Sequence, residues 1–409
     1  MRNLRVNGER LWASLMEMAK IGALPKGGCG RLALSDEDKA GRDLFVSWCK
    51  AAGCTIRMDA LGNIFARREG RNPALPPVMT GSHLDTQPHG GKFDGVLGVL
   101  AGLEVIRSLN DAKIVTDAPV EVACWTNEEG ARFTPAMCAS GVFGGAFTAD
   151  YVLAQTDLSG KTFGDELKRI GYAGSEPCGG RPIGAFFELH IEQGPILEAE
   201  KLPIGVVTGV QGVRWYDVVV SGQDAHAGPT PMDMRRDALL AAARMVNAVN
   251  REARARAPYG RGTVGQMQVV PNSRNTVPGE IKFTVDLRHP EKPALDGLEA
   301  AVKAAFDDIA RQLRVAVSFA RIWDSPPTAF AEAPVAAVRE AAKALGYAHR
   351  DIVSGAGHDS VYISRVAPTA MIFIPCKGGL SHNEEETAEP EHVTQGANVL
   401  LQAMIARAG

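Results

Sequence analysis

The stretch Thr80–Gly102, T-G-S-H-L-D-T-Q-P-H-G-G-K-F-D-G-V-L-G-V-L-A-G, decides how the rest of the chain is read. It follows the apolar pair Val78 and Met79, which reads as the end of a buried strand. It runs into an apolar helix opened by Val96, Leu97, Val99 and Leu100. His83 and Asp85 are two residues apart, so in an extended chain they point to the same side. Asp94 stands on a glycine-flanked turn. An imidazole beside two carboxylates is a donor set that suits a divalent metal. Of the two acids, Asp94 is the expected ligand. Asp85 is expected to bond to His83 and fix its tautomer. Alone, a His-x-Asp at a strand end is ordinarily a capped turn, so the metal reading needs more donors.

Those donors stand at the ends of other predicted strands. Val120–Trp125 reads as a strand and is followed by T-N-E-E-G at 126–130. Open α/β sheets place their ligands at such carboxyl ends. Two adjacent carboxylates can divide the work, one binding metal and the other moving protons. His190 ends the strand A-F-F-E-L-H at 185–190, and His382 lies in G-G-L-S-H-N-E-E-E at 378–386, after an apolar run that ends at Pro375. His83, Asp94, Glu129, His190 and His382 together predict a centre for two divalent metal ions, with Asp94 bridging. Zn, Mn, Co and Ni all suit such ligands. Glu128 is left unligated and free to act as general base. His89, His349 and His392 lack such a setting and are read as surface residues.

Length and composition set the frame. A chain of 409 residues is long for one core and suggests two domains. Its 45% apolar and 22% charged residues are ordinary for a soluble globular protein. A net charge of −3 makes no electrostatic case for nucleic acid or an anionic membrane as partner. No apolar run approaches the ~18 residues of a spanning helix, and charges interrupt the N-terminal segment where a signal peptide would be apolar. Cytoplasm is therefore the expected compartment. The seven cysteines are scattered with no Cys-x-x-Cys, so neither a disulfide framework nor a thiolate zinc site is expected.

Residues 1–211 and 327–409 share one texture. Helices are predicted at 2–21, 36–52, 95–109, 163–170, 193–200, 334–345 and 391–408. Strands are predicted at 55–58, 63–67, 78–83, 120–126, 185–190 and 369–374. Between them, residues 212–326 predict strands at 213–221, 263–269, 281–288 and 315–321 with helices at 235–256 and 294–312. That order, βαββαβ, is ferredoxin-like. The fold class expected is α/β: a catalytic domain with a dinuclear metal centre, interrupted by an inserted ferredoxin-like domain.

The motif set resembles the M20 metallopeptidase and amidohydrolase family. The motifs are G-S-H-L-D-T at 81–86, G-G-K-F-D-G at 90–95, N-E-E-G at 127–130, H-I-E-Q-G-P at 190–195, G-x-x-x-H-A-G-x-x-P at 222–231 and S-H-N-E at 381–384. They span most of the chain. The H-I-E-Q-G context of His190 resembles the hydantoinase/carbamoylase branch, which holds N-carbamoyl-L-amino-acid hydrolases, β-ureidopropionases and allantoate amidohydrolases. The resemblance implies hydrolysis of a ureido C–N bond in a small substrate that bears a carboxylate, with Glu128 as acid/base. It also implies that the inserted domain is a lid and a homodimer interface. It assigns His226 to the tetrahedral intermediate and Arg214, Asn275 and Arg288 to the substrate carboxylate. Gln193 and Gly357 would line the pocket, with His358 and Asp359 near it. The competing readings are an allantoate amidohydrolase and, more distantly, an aminopeptidase or dipeptidase of the same fold.

Overall fold

The computed structural model describes residues 4–409. The chain divides into two units, one comprising residues up to Thr208 with Ala329–Gly409 and the other Gly209–Thr328. The first unit is built on a mixed sheet. Its strands lie in the order Thr55–Met58, Ile64–Arg68, Val120–Trp125, Val78–His83, Ala185–Ile191, Thr369–Ile374 and Ile204–Val210, and His349–Ser354 also pairs with the last. The four central strands are parallel, while Ile64–Arg68 and Ile204–Val210 join them antiparallel, as Thr55–Met58 joins Ile64–Arg68.

Every position of those four central strands is buried. That fits their mostly apolar sequences, because a parallel strand is covered on both faces. The helices Val96–Asp111 and Pro390–Ala408 pack against the sheet and each other. On the other side Phe65, Met79, Trp125 and Phe186 form a core with Phe143 and Ile363. The helix Asp36–Ala51 starts where Ser35 accepts the Asp38 N–H, with three acids in its first turn. An acceptor cap and acids at a helix start both stabilise it.

In the second unit the sheet runs Met267–Val270, Glu280–His289, Gly212–Ser221, Ala316–Ser325, all antiparallel, with Arg261–Thr263 also on Glu280–His289. Helices Ala238–Arg254 and Lys292–Leu313 supply Met245, Val249, Leu298, Val302 and Phe306 to its core, against Tyr216, Val218, Phe283 and Val285. The element order is βαββαβ, with the second strand broken in two.

Several boundaries differ from the sequence reading. The first helix is Gly8–Met18, and Arg2, where it was expected to begin, lies outside the described residues. The helix expected from Gln193 begins only at Ile196. Gln193 has a left-handed φ of 55°, and the Glu192 carboxylate accepts the Ile196 and Leu197 N–H groups and so starts the helix there. The strands Ile204–Val210 and His349–Ser354 and the helices Cys138–Phe143, Ala149–Leu153 and Asp359–Ile363 had no counterpart in that reading. No helix of the described residues is long and apolar enough to cross a membrane.

Candidate metal centre

The parallel pairing explains why distant residues meet. His83 is in register with Trp125, and Phe373 with His190, so these strands end together at one edge of the sheet. His83 and His190 are the last or near-last residues of their strands. Glu128 and Glu129 follow Trp125 on the next loop, and His382 lies on the loop after Ile374. Asp94 stands just before the helix Val96–Asp111, which begins beside the same edge.

The result is two donor groups that share one residue. His83, Asp94 and His190 form a fully buried group. Asp94, Glu129 and His382 form another, and in each the potential ligand atoms lie within 4.8 Å of one another. Asp94 Oδ1 is 3.1 Å from His190 Nε2 and 3.7 Å from His83 Nε2. Its Oδ2 is 3.5 Å from His382 Nε2, which in turn is 3.4 Å from Glu129 Oε2. One carboxylate thus presents one oxygen to each group. Glu128 Oε2 stands 3.5 Å from His83 Nε2.

Main-chain carbonyls orient the two buried imidazoles. His83 Nδ1 lies 2.8 Å from the Asp85 carbonyl oxygen and His190 Nδ1 lies 2.9 Å from that of Ile191. With Nδ1 bonded to a carbonyl, each imidazole turns Nε2 toward Asp94, where loss of any second proton would free a lone pair for a metal. The Gly95 N–H is also aimed at His190 Nε2, at 3.2 Å. Gly95 has φ of 68°, and a Cβ there would lie 2.3 Å from the His83 ring. Only glycine permits this turn.

Asp85 requires a correction. It was expected to fix the His83 tautomer with its carboxylate, but its main-chain oxygen does so. Its side chain instead accepts the N–H groups of Glu128 and Glu129, at 3.3 and 3.2 Å. It holds the acidic loop, in which Asn127 takes a left-handed φ of 57°. Gln87 grips the same loop. Its main-chain N–H and its side-chain amide both donate to the Glu129 carboxylate, at 3.1 and 2.7 Å.

The electrostatics suit a cation. Asp85, Asp94, Glu128 and Glu129 lie together, and the ion pairs of the last three are with histidines. Burial, then the charges of Asp359, Glu129 and Asp94, hold Glu128 well above the usual carboxylate range. Burial and then Asp94 do the same to Glu129. Burial works against a charged Asp94 too, but the bond to His190 and the nearby histidines outweigh it and hold that carboxyl below the usual range. For His190, burial opposes the charge and Asp94 overrides it, raising the imidazole to about 9. Four carboxyl groups crowded against imidazoles in the interior are a setting that divalent ions would stabilise, displacing the protons held there. The Gln193 side-chain oxygen is buried without a partner in the same place.

Gln193 donates to Asp94 Oδ2 at 2.8 Å, so it touches the shared carboxylate. Gly357 is exposed, and a Cβ on it would come 2.9 Å from Met137 Cε. The His358 ring centroid is 4.6 Å from that of His190. Its Nε2 bonds to Ser354 Oγ at 2.8 Å, and burial and then His190 push it well below the ordinary imidazole value. His358 and Glu188 form a third donor group with His190. The Glu188 carboxylate, however, already takes the hydroxyls of Ser82 and Ser360. Asp359 accepts from Ser140 Oγ, at 2.5 Å. The sequence reading missed Glu188, Gln87 and Glu386. The first was hidden as one acid in an apolar strand. Glu386 is the last of three adjacent acids in a loop, a run in which nothing marks the one that is buried.

The remaining residues singled out lie in the second unit. His226 is exposed on the short strand Ala225–His226, paired with Thr276–Val277, and the Ala227 N–H bonds to the Asn275 carbonyl. His226 and Asn275 are thus neighbours. Arg288 forks onto Asp286, two residues away on the same strand face, with Nη2–Oδ2 at 2.8 Å. Arg214 does not fit the role expected of it. Its Nε, Nη1 and Nη2 engage Asp324, Glu299 and Asp296 at 3.2, 2.6 and 2.5 Å, and its side chain is 5% exposed. An arginine already matched to three carboxylates is a structural tie, so it is withdrawn from the substrate-binding set.

Fold and centre together define the class: an α/β protein whose parallel sheet ends in His/carboxylate groups fit to hold metal. Residues 79–406 match the peptidase family M20/M25/M40. An N-carbamoyl-L-amino-acid amidohydrolase of Rhizobium meliloti is 53% identical, over 98% of this chain and 97% of its own. A ureidoglycolate hydrolase of Arabidopsis thaliana is 33% identical, over 97% of this chain and 86% of its own. The crystal structure of an amidase of the hydantoinase/carbamoylase family from Burkholderia multivorans superposes with a TM-score of 0.96 at 61% identity, covering 99% of this chain and 98% of that one. The chain belongs to the peptidase family M20/M25/M40, among the hydantoinase/carbamoylase amidases.

Proposed function

We propose that this protein is a metal-dependent amidohydrolase that cleaves the ureido C–N bond of N-carbamoyl amino acids. The observation that carries the reading is Asp94, with one oxygen toward each donor group, and Glu128 beside them. His83 and His190 would hold one divalent ion, Glu129 and His382 a second, and Asp94 both. When bound, such ions supply Lewis acidity toward the carbonyl and the attacking water.

Glu128 takes a proton from that water as it attacks and passes it to the leaving nitrogen. The net reaction, R-NH-CO-NH2 plus water giving R-NH2, CO2 and NH3, conserves every atom. Without ions, burial and then the neighbouring acids hold the Glu128 carboxyl well above the usual carboxylate range. Cations held by the neighbouring ligands would favour the carboxylate form of Glu128, which is the form able to act as base. Gln87 and Asp85 hold Glu129 and its loop, so the acids do not reorganise during the reaction. By the family resemblance, His226 steadies the oxyanion, and Asn275 and Arg288 take the substrate carboxylate. A guanidinium fork suits that group. The same resemblance gives the second unit a role in homodimer formation.

The test is a substrate panel on metal-reconstituted protein: N-carbamoyl-L-amino acids, N-carbamoyl-β-alanine, allantoate, ureidoglycolate and dipeptides. Ammonia release should be fastest from the carbamoyl amino acids. Preference for allantoate or ureidoglycolate would move the assignment toward the Arabidopsis relative. Amine release from dipeptides, with no ammonia from any ureide, would sink it. Arg288→Ala should impair acidic ureides more than uncharged ones, and equal loss on both would remove Arg288 from the substrate site.

A further inference from the structure

Glu386 lies four residues after His382, yet it reaches back to the turn that carries Asp94. Its Oε1 accepts the N–H groups of Phe93 and Asp94, at 3.0 and 3.1 Å. Its Oε2 is 2.9 Å from Ser381 Oγ, and that hydroxyl is 3.2 Å from Asp94 Oδ2. The Glu386 carboxylate therefore ties the Asp94 backbone to the loop bearing His382, while the single Ser381 proton serves either it or Asp94 Oδ2. The Glu386 N–H donates to the Asn383 carbonyl, which closes the turn after His382, itself left-handed at φ 54°.

The contact is built into the G-G-K-F-D-G turn. Gly91 lies so close that a Cβ on it would sit 2.0 Å from Glu386 Cδ. Glu386 is 1% exposed, and its oxygens are occupied by N–H and O–H donors. It is therefore placed to position the ligands rather than to be one.

We propose that Glu386 is a positioning residue that sets the relation between the two ion-binding groups. It aims the two oxygens of Asp94 by holding the 93–94 amides, and it fixes the turn that delivers His382. The inference rests on the two-ion reading. Removing the carboxylate leaves two buried amides without acceptors, and the turn must move to satisfy them. A glutamine could still accept both amides through Oε1 and donate to Ser381 Oγ through its NH2.

The experiment titrates metal-free protein with Co2+, followed by calorimetry and by the visible absorption of the bound ion. Wild type should take up two equivalents. Glu386→Ala should bind one of them about 10–100-fold more weakly, the range for lost partners of metal ligands, with an altered spectrum. Glu386→Gln should stay close to wild type. Gly91→Ala should reproduce the loss by displacing the carboxylate. The Gly91→Ala/Glu386→Ala double variant should be no worse than either single one. Wild-type affinity and spectrum in Glu386→Ala would overturn the proposal, as would equal impairment in Glu386→Gln. If wild type binds fewer than two equivalents, the two-ion reading fails and the inference with it. If Glu386→Ala does not fold, Gly91→Ala and Ser381→Ala carry the same test.

Discussion

Asp94 and Glu128 are both buried acids in one place, but their surroundings divide their roles. Histidines surround Asp94 and favour its charge, while Glu128 meets mainly other acids. Glu128→Gln should therefore retain its metal content by elemental analysis and lose turnover by at least about 10²–10⁴-fold, the contribution of a general base. Near-normal turnover would remove Glu128 from the mechanism. Gly95→Ala should strain a φ of 68° and push on the His83 ring. It should bind metal less tightly and unfold more easily, by about 1–3 kcal/mol, the scale of local backbone strain. Unchanged affinity and Tm would show that the turn adapts. At this scale the sequence was readable for donor types: His83, Glu129, His190 and His382 stand out at or after strand ends, and Asp94 on a glycine-flanked turn. The partner of each was not. Asp85 bonds the acid loop rather than the His83 ring, because the strand ends in a bend that points the carbonyl at Nδ1.

Among the elements, the strand Gly212–Ser221 shows how alternation sorts side chains. Arg214 falls on the same face as buried Tyr216 and Val218, toward the helix Lys292–Leu313 and its Asp296 and Glu299. Arg214→Ala should lower stability on the order of 2 kcal/mol in denaturant unfolding. That lies below the usual figure for breaking a buried ion pair, because Asp296 is 45% exposed and screened. A variant of unchanged stability but lost activity would restore Arg214 to the substrate site. The long periodic helices and buried strands were legible from pattern alone. The pieces of 263–269 were not, since period-two alternation does not show where a strand breaks. Nor were the short helices at 138–143 and 359–363, which have too few turns to show a periodicity.

Across the whole molecule, filling the centre should couple to folding and to pH. In the metal-free protein His190 is raised from 6.5 to about 9. The protonated pair with Asp94 therefore contributes stability fully below about 6.5, and that stability is lost as pH rises through about 9. A metal must displace this proton, and Glu128 and Glu129 also hold theirs more tightly than usual. Metal affinity should thus fall as pH is lowered from about 9, with protons released on binding. Calorimetry in buffers of different protonation enthalpy would count them, and a count of zero would contradict the site. At a free-ion concentration about 100 times Kd, bound metal should add about 2.7 kcal/mol per site. Tm would rise, and chelation should reverse the gain.

By itself the sequence determined the donor types, the buried parallel strands and the glycines of the tight turns, because these follow from local chemistry and period. Which partners those donors take was decided by tertiary structure alone. The Gly91 contact with Glu386, the Gln87 grip on Glu129 and the enclosure of Arg214 join positions far apart in the chain. Such pairings arise only when strand register and loop closure bring the segments together, and no local pattern records them.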